Sequence, residues 1–222
     1  MSTGTLRSRL RAAALIGAVA LTFAASGANA RRAGFPDATM PSLPTRVSVP
    51  DRSVVISAPT GYCVDTGATQ TGGTFAFVLL ASCQVVTGDP LAPGPVRPGL
   101  LTASVGSEAS ASLPATADLD RYFASDRGRA TLSRKGDPAD VTSGPSFARA
   151  GAFYIHAHEN GPDPVTGGHS WRAIFAVNGR LVTVTLRDLL GYPMSDAEAF
   201  QTVEGFAEQI MVASQANFPH RH

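Results

Sequence analysis

The sequence has little net charge, few cysteines and no Gly-rich nucleotide motif. Its 222 residues include 18 basic and 17 acidic side chains, for a net charge of +1. This balance excludes the strongly basic surface of most nucleic-acid-binding proteins, so we predict no nucleic-acid partner. Two cysteines are too few for metal centres that need several thiolate ligands. The chain also lacks a phosphate-cradling glycine loop and the Gly-x-Ser-x-Gly motif of serine hydrolases. We predict no cofactor.

The first thirty residues have three parts: a basic start, an apolar run and a pattern of small residues. Residues 12–25 are apolar, follow three arginines and precede Ala28-Asn29-Ala30. This order predicts a secretory signal peptide over residues 1–30, with Ala28 and Ala30 as the small residues at the cleavage site. The apolar run is too short for a stable membrane span. We therefore expect a periplasmic or secreted protein with no membrane anchor after cleavage; an uncleaved anchor helix is the alternative.

The remaining chain is predicted to contain one domain. Residues 31–52 hold four prolines and little apolar periodicity, which predicts a disordered lead-in. Residues 53–218 are predicted to be globular and 219–222 to be a tail. Apolar or β-branched runs predict strands in 53–58, 74–83, 100–105 and 150–159, and Asn178-Gly179 predicts a hairpin between two more. The 74–83 run is predicted to be covered on both faces of a sheet.

Two helical regions are expected. The first covers 117–134 and is interrupted at Gly128. The second begins at a capping box, in which Ser195 and Glu198 satisfy free backbone donors reciprocally. Its apolar residues recur at helical spacing, at Phe200, Val203, Ala207, Ile210 and Met211. We therefore predict an α+β fold, an antiparallel sheet with helices packed on it in a single domain.

Cys63 and Cys83 are the two cysteines. An exported protein folds in an oxidising compartment, where disulfides form and persist. Both cysteines lie at the edges of predicted strands, so we predict a structural disulfide. A redox pair normally has closer spacing, and a metal site needs more soft ligands nearby.

Asp65-Thr66-Gly67 matches the catalytic motif of aspartic peptidases. Those enzymes need two carboxylates that share a proton, so a chain this short would act as a dimer of the retroviral type. Leu189-Leu190-Gly191 is a candidate for the second element of that fold, and it lies more than a hundred residues away. The polar, glycine-rich surroundings instead favour a turn in which Asp65 bonds its own backbone. A dimeric aspartic peptidase using Asp65 is kept as an alternative function.

Histidines supply a second alternative function. His156 and His158 are two residues apart on a predicted strand, so their imidazoles project from one face. His169 can approach them across a glycine-rich loop, and Glu159 is adjacent in sequence. Imidazoles with a carboxylate hold zinc or copper. The competing interpretation is an ordinary polar sheet face that Tyr154 shares, and our primary prediction assigns no metal site.

Basic residues cluster between positions 121 and 135. They are Arg121, Arg127, Arg129, Arg134 and Lys135. Such a group can bind an anionic ligand, but interleaved aspartates favour a solvated helix face.

The anchors Gly61-Tyr62-Cys63 and Ala81-Ser82-Cys83, with the strand and helix pattern between 53 and 213, resemble a family of uncharacterised exported alphaproteobacterial proteins. The order of strands, helix, strands and helix is also similar to PsbP-like α/β/α sandwich domains. That resemblance implies an accessory or binding role. Our primary prediction is a non-catalytic accessory or binding module, monomeric, whose partner is an unknown protein or small molecule.

Overall fold

The computed structural model of the chain describes residues 43–49, 51–72, 75–107, 111–161 and 163–217. The signal peptide predicted for 1–30, with Ala28 and Ala30, lies outside these residues, as does the tail predicted for 219–222. No helix among the described residues is long and apolar enough to cross a membrane.

Alternating apolar residues build an eight-stranded antiparallel sheet. Its strands are β3 (Tyr62–Val64), β4 (Gln70–Gly72), β5 (Phe75–Ser82), β6 (Gly99–Val105), β7 (Val141–Arg149), β8 (Ala152–Glu159), β9 (Thr166–Val177) and β10 (Arg180–Leu189). They lie in the order β3-β5-β6-β10-β9-β8-β7, and β4 also pairs with β5. The predicted Asn178-Gly179 hairpin joins β9 to β10.

A separate two-stranded ribbon precedes the sheet. It pairs β1 (Arg46–Ser48) with β2 (Val55–Ser57). Strand β1 lies inside the segment predicted to be a disordered lead-in, so ordered structure begins before Ser53. A three-residue strand is too short to show a periodic pattern in the sequence, so β1 could not be predicted.

Four α-helices accompany these strands among the described residues. They are α1 (Cys83–Thr87), α2 (Thr116–Ala124), α3 (Asp126–Leu132) and α4 (Asp196–Asn217), with a short 3-10 turn at Pro138–Asp140. The predicted capping box is confirmed: the Glu198 backbone N–H donates to Ser195 Oγ at 3.3 Å, and the Ser195 backbone N–H donates to Glu198 Oε2 at 3.0 Å.

The first helical region breaks at Ser125 rather than at Gly128. Ser125 ends α2, and its Oγ accepts a hydrogen bond from the Gly128 backbone N–H at 3.2 Å, which caps α3. A Cβ atom at position 128 would lie 1.9 Å from the carbonyl oxygen of Tyr122. Gly128 therefore permits the close approach of α3 to the end of α2, and it does not interrupt a helix.

Helices cover the sheet on both faces, but unequally. On one face, here called the α4 face, Val203, Phe206 and Ile210 of α4 pack into a large core. On the other, the α2/α3 face, Leu119 and Leu132 pack with residues of the β7–β9 half of the sheet in a smaller core. The predicted α+β class, an antiparallel sheet with helices packed on it, is confirmed.

Strand β5 differs from its prediction because its two faces are not equally buried. Val78 and Leu80 are fully buried on the α4 face. Phe77 and Leu79 point to the α2/α3 face and are only half-buried. Helices α2 and α3 lie over strands at the far side of the sheet, so the run from 74 to 83 is apolar without being covered on both faces.

Strand β7 lies at the edge of the sheet and was not predicted from the sequence. Its pairing with β8 shifts register between Ser143 and Ser146, at a bulge that contains Gly144 and Pro145. Both residues are poor strand formers, and bulges and proline are found at sheet edges. Their presence hid the strand signal.

The predicted disulfide is present. Cys63 on β3 and Cys83 after β5 are bonded, with their Cα atoms 4.8 Å apart, and they close a loop with a sequence separation of 20. Both are buried. The bond fastens β3 at the edge of the sheet to the strand beside it.

Reducing this bond is expected to lower the free energy of unfolding by about 3 kcal/mol, because the reduced unfolded chain regains loop entropy. Urea denaturation with and without reductant measures the change. The double variant Cys63→Ser, Cys83→Ser should reproduce the reduced protein and no longer respond to reductant. Equal unfolding midpoints for oxidised and reduced protein would contradict the prediction.

A buried carboxylate joins α3 to the sheet. Glu159, at the end of β8, is 4% exposed and pairs with Arg187 on β10 at 3.0 Å and with Arg134 after α3 at 2.9 Å. The Arg134 backbone N–H also donates to it at 2.8 Å. Burial alone would raise the pKa of the Glu159 carboxyl, but the hydrogen bonds from Arg134 and the charge of Arg187 outweigh it and hold the pKa below its ordinary value.

Glu159→Gln is expected to lower the free energy of unfolding by about 3 kcal/mol, because it leaves Arg187 buried without its counter-ion. A carboxyl whose pKa is lower in the folded protein than in the unfolded chain stabilises the fold at pH values above its ordinary pKa of 4.5. This stabilisation is lost as the pH falls below that value. The difference between the two proteins should therefore be largest at neutral pH and shrink in acid. Denaturation at several pH values measures it.

Glu204→Gln is the matched control, because Glu204 pairs with the exposed Arg149 at 3.0 Å. Such a surface pair contributes less than about 1 kcal/mol. Similar losses for the two variants, or a Glu159→Gln deficit that does not change with pH, would be incompatible with the buried-pair interpretation.

Candidate metal centre

Strands β8 and β9 place three histidines on the α4 face of the sheet. His158 is directly opposite His169 in the register, and His156 is opposite Trp171. Because side chains alternate along a strand, Glu159 points to the other face, where it meets Arg134 and Arg187. The suggestion that Glu159 supplies the carboxylate beside the histidines is therefore wrong.

The competing interpretation, a polar sheet face shared by Tyr154, is also corrected. Tyr154 is buried, and its ring contacts Phe147 at 5.7 Å and Phe200 of α4 at 5.1 Å between centroids. Trp171 belongs to the same aromatic group, 5.3 Å from Phe200. The histidines lie where this aromatic layer ends, beside the first turn of α4.

Three ligand atoms converge at that point. His156 Nε2 lies 3.3 Å from His169 Nδ1 and 3.7 Å from Asp196 Oδ1. All three ligand atoms lie within 4.8 Å of one another. Asp196 is the first residue of α4, so the packing of that helix on the sheet brings the carboxylate to the histidines.

These separations suit a shared metal ion. With metal–nitrogen distances of 2.0–2.1 Å, tetrahedral ligands lie about 3.3 Å apart. The His156–His169 separation of 3.3 Å already has this value, and Asp196, whose side chain is 76% exposed, is free to close the remaining gap by rotation. The arrangement offers two imidazoles and one carboxylate and leaves a fourth coordination position open.

Burial controls the charge of the central histidine. The His156 side chain is 12% exposed. Burial lowers its pKa, as do the neighbouring His169 and His158, while the charge of Asp196 raises it; the net pKa lies below the ordinary value. His156 is therefore neutral at physiological pH, the form in which imidazole binds metal.

Further polar groups surround the three ligands. His158 contacts the ring of His169 at 4.5 Å between centroids, and its Nδ1 is buried without a hydrogen-bond partner among the described residues. Asp188 has a buried Oδ1 that also lacks one there. Burial raises the pKa of Asp188, against the opposing charges of His169 and Arg187. Such unpaired buried groups are costly and concentrate at functional sites.

The three candidate histidines are thus brought together, but with different roles. His156 and His169 are in the ligand group, whereas His158 is not among its three members. Asp196 was not predicted as a ligand because it follows Ser195 in the capping box, where an acidic residue is expected at the start of a helix. Only the position of α4 on the sheet reveals the second role.

The structure places Asp65 in the predicted turn. Its Oδ1 accepts hydrogen bonds from the backbone N–H groups of Gly67 at 2.9 Å and Ala68 at 3.1 Å. Leu189 ends β10, and two strands lie between β10 and β3 in the sheet, a separation of about 14 Å at ordinary strand spacing. The later apolar segment is therefore not brought to Asp65.

The basic cluster between 121 and 135 does not act as one group. Arg121 pairs with Asp118, and Arg129 with Asp126, on exposed helix surface, as the solvated-face interpretation predicts. Arg134 differs, because it reaches the buried Glu159.

Gly144→Ala is expected to displace the His156 ring and to cost about 1–3 kcal/mol in stability through overpacking. A Cβ atom at position 144 would lie 2.7 Å from His156 Nδ1. NMR of the imidazole resonances should show shifts at His156 and His169. Gly191→Ala is the matched control, since its Cβ would meet nothing within 4 Å; unchanged His156 resonances in Gly144→Ala would contradict the contact.

No family model matches this chain, and no curated protein matches it. The resemblance to PsbP-like domains stays a prediction.

Proposed function

We propose that this protein is an exported binding module that holds one transition-metal ion between His156, His169 and Asp196. The observation that carries the proposal is the convergence of Nε2, Nδ1 and Oδ1 from three different elements within 4.8 Å. This turns the second of our alternative functions into the preferred one, with Asp196 in place of Glu159 as the carboxylate.

The ligand set favours copper or zinc. Imidazole suits both ions, whereas magnesium and calcium prefer sites made only of oxygen ligands. Cu²⁺ generally binds nitrogen and oxygen sites more tightly than Zn²⁺ does. We therefore expect the order of affinity to be Cu²⁺, then Zn²⁺, with Mg²⁺ far weaker.

The proposal of export rests on the signal-peptide pattern in residues 1–30 and is supported by the Cys63–Cys83 disulfide, since disulfides persist in oxidising compartments. A binding role rather than a catalytic one is supported by Asp65, whose carboxylate is engaged with its own turn. The peptidase alternative gains no support from this arrangement.

Cu²⁺ is expected to quench the fluorescence of the protein stoichiometrically. Trp171 is the one tryptophan in the chain, and its ring centroid lies 5.2 Å from that of His156. Titration of untagged protein with Cu²⁺, Zn²⁺ and Mg²⁺, followed by fluorescence and thermal unfolding, measures binding. A bound ion at one hundred times its dissociation constant should add about 2.7 kcal/mol of stability.

His169→Ala and Asp196→Asn are each expected to weaken binding at least tenfold. Both side chains are exposed, so these changes should leave the fold intact, as circular dichroism can verify. The double variant His220→Ala, His222→Ala is the matched control for metal binding by other histidines. Quenching that survives in the first two variants, or that disappears in the control, would refute the proposed site.

A further inference from the structure

The second half of the α2/α3 face carries a cleft that the metal proposal does not involve. On this face the smaller core, with α2 and α3, lies over the β7–β9 side of the sheet. On β5, β6 and β10, the same face shows half-buried side chains, including Leu79, Leu100, Thr102 and Thr185. Among the described residues, no helix packs over these four.

The cleft has a volume of about 330 Å³. Its floor is formed by neighbouring residues of two paired strands: Leu100 is opposite Arg187, and Thr102 is opposite Thr185. Its walls are Arg134 and the segment Asp163–Thr166. A volume at the lower end of the range for ligand pockets fits a small molecule.

One end of the cleft has a surplus of positive charge. On the α2/α3 face, Arg134, Arg187 and the neighbouring Arg172 are matched by the two carboxylates of Glu159 and Asp163, whereas Asp188 lies on the other face, beside His169 and Trp171. Arg134 pairs with both carboxylates and Arg187 pairs with Glu159.

Arg172 donates to the carbonyl oxygens of Thr131 and Leu132. Burial and the charge of Arg187 lower the pKa of Arg172 to about 10, against the charge of Glu159, so it remains protonated at neutral pH. On this face, three guanidinium groups and two carboxylates leave an excess of one positive charge.

Donors at this end of the cleft lack protein acceptors. Thr166 is buried, and its Oγ1 has no hydrogen-bond partner among the described residues. Arg187 is also buried, and in the same part of the chain its guanidinium makes one hydrogen bond, through Nη1 to Glu159. The other N–H donors of this guanidinium group can bond to an acceptor. A buried hydroxyl without a partner in the wall of a cleft points to a ligand that supplies one.

We propose that this cleft binds a small amphiphilic carboxylate, such as a medium-chain fatty acid. The carboxylate accepts hydrogen bonds from Arg187 and Thr166 and neutralises the single surplus charge. The alkyl chain lies over Leu100 and the methyl groups of Thr102 and Thr185, beside Val165, whose side chain is otherwise exposed. A dianionic phosphate does not match one surplus charge.

Calorimetric titration of the oxidised protein with octanoate tests the proposal, with 1-octanol and octylamine as head-group controls. We expect octanoate to bind one to one, and both controls to bind at least tenfold more weakly. Equal affinity for octanoate and octanol, or no octanoate binding at millimolar concentration, would overturn the proposal.

Two variants locate the binding. Thr166→Val removes the hydroxyl at constant volume and is expected to weaken octanoate binding about tenfold, the effect of losing one well-placed hydrogen bond. Thr185→Phe fills the cleft and is expected to abolish measurable binding. Thr183→Phe, two residues along the same strand and face but outside the cleft lining, is the control and should bind normally. Unchanged binding by Thr185→Phe would place octanoate elsewhere and refute the site.

Discussion

Helix α4 packs on one face of the sheet through Val203, Phe206 and Ile210, all fully buried. This contact fixes where the first residue of the helix lies along the sheet, and so it sets the position of Asp196 relative to His156. The aromatic contacts of Phe200 with Phe147, Tyr154 and Trp171 reinforce the same placement. A shift of α4 by one turn, about 5.4 Å, would separate the carboxylate from the imidazoles. The proposed metal site therefore exists only because the core is packed in this one way.

Alternation along the strands divides the chemistry of the molecule between two faces. On β8, His156 and His158 face α4, while Glu159 faces the arginines. On β9, Trp171 and Arg172 are separated in the same manner. Nitrogen and oxygen ligands for a cation thus gather on one face, and guanidinium groups for an anion gather on the other. The sheet lies between the two proposed sites and keeps a bound cation away from the cluster of positive charge.

Local signals in the sequence predicted much of the fold. The capping box at Ser195, the Asn178-Gly179 hairpin and the Cys63–Cys83 disulfide are short-range patterns, and each is confirmed. The two-residue spacing of His156 and His158 correctly placed their side chains on one face of β8. The features that were not predicted depend on tertiary packing. Asp196 joins the site through the packing of α4 on the sheet. One face of β5 is only half-buried because α2 and α3 pack over other strands. Strand β7 was hidden because its bulge contains glycine and proline.

The two edge strands of the main sheet are protected in different ways. At one edge, the disulfide fastens β3 to the neighbouring strand, so β3 cannot peel away to expose the backbone of β5. At the other, the bulge at Gly144 and Pro145 distorts β7 and removes a backbone donor. Unprotected edges recruit strands from other chains and lead to aggregation. Protection of both edges therefore favours a sheet that stays within one chain, and its side-chain faces remain the surfaces available for recognition.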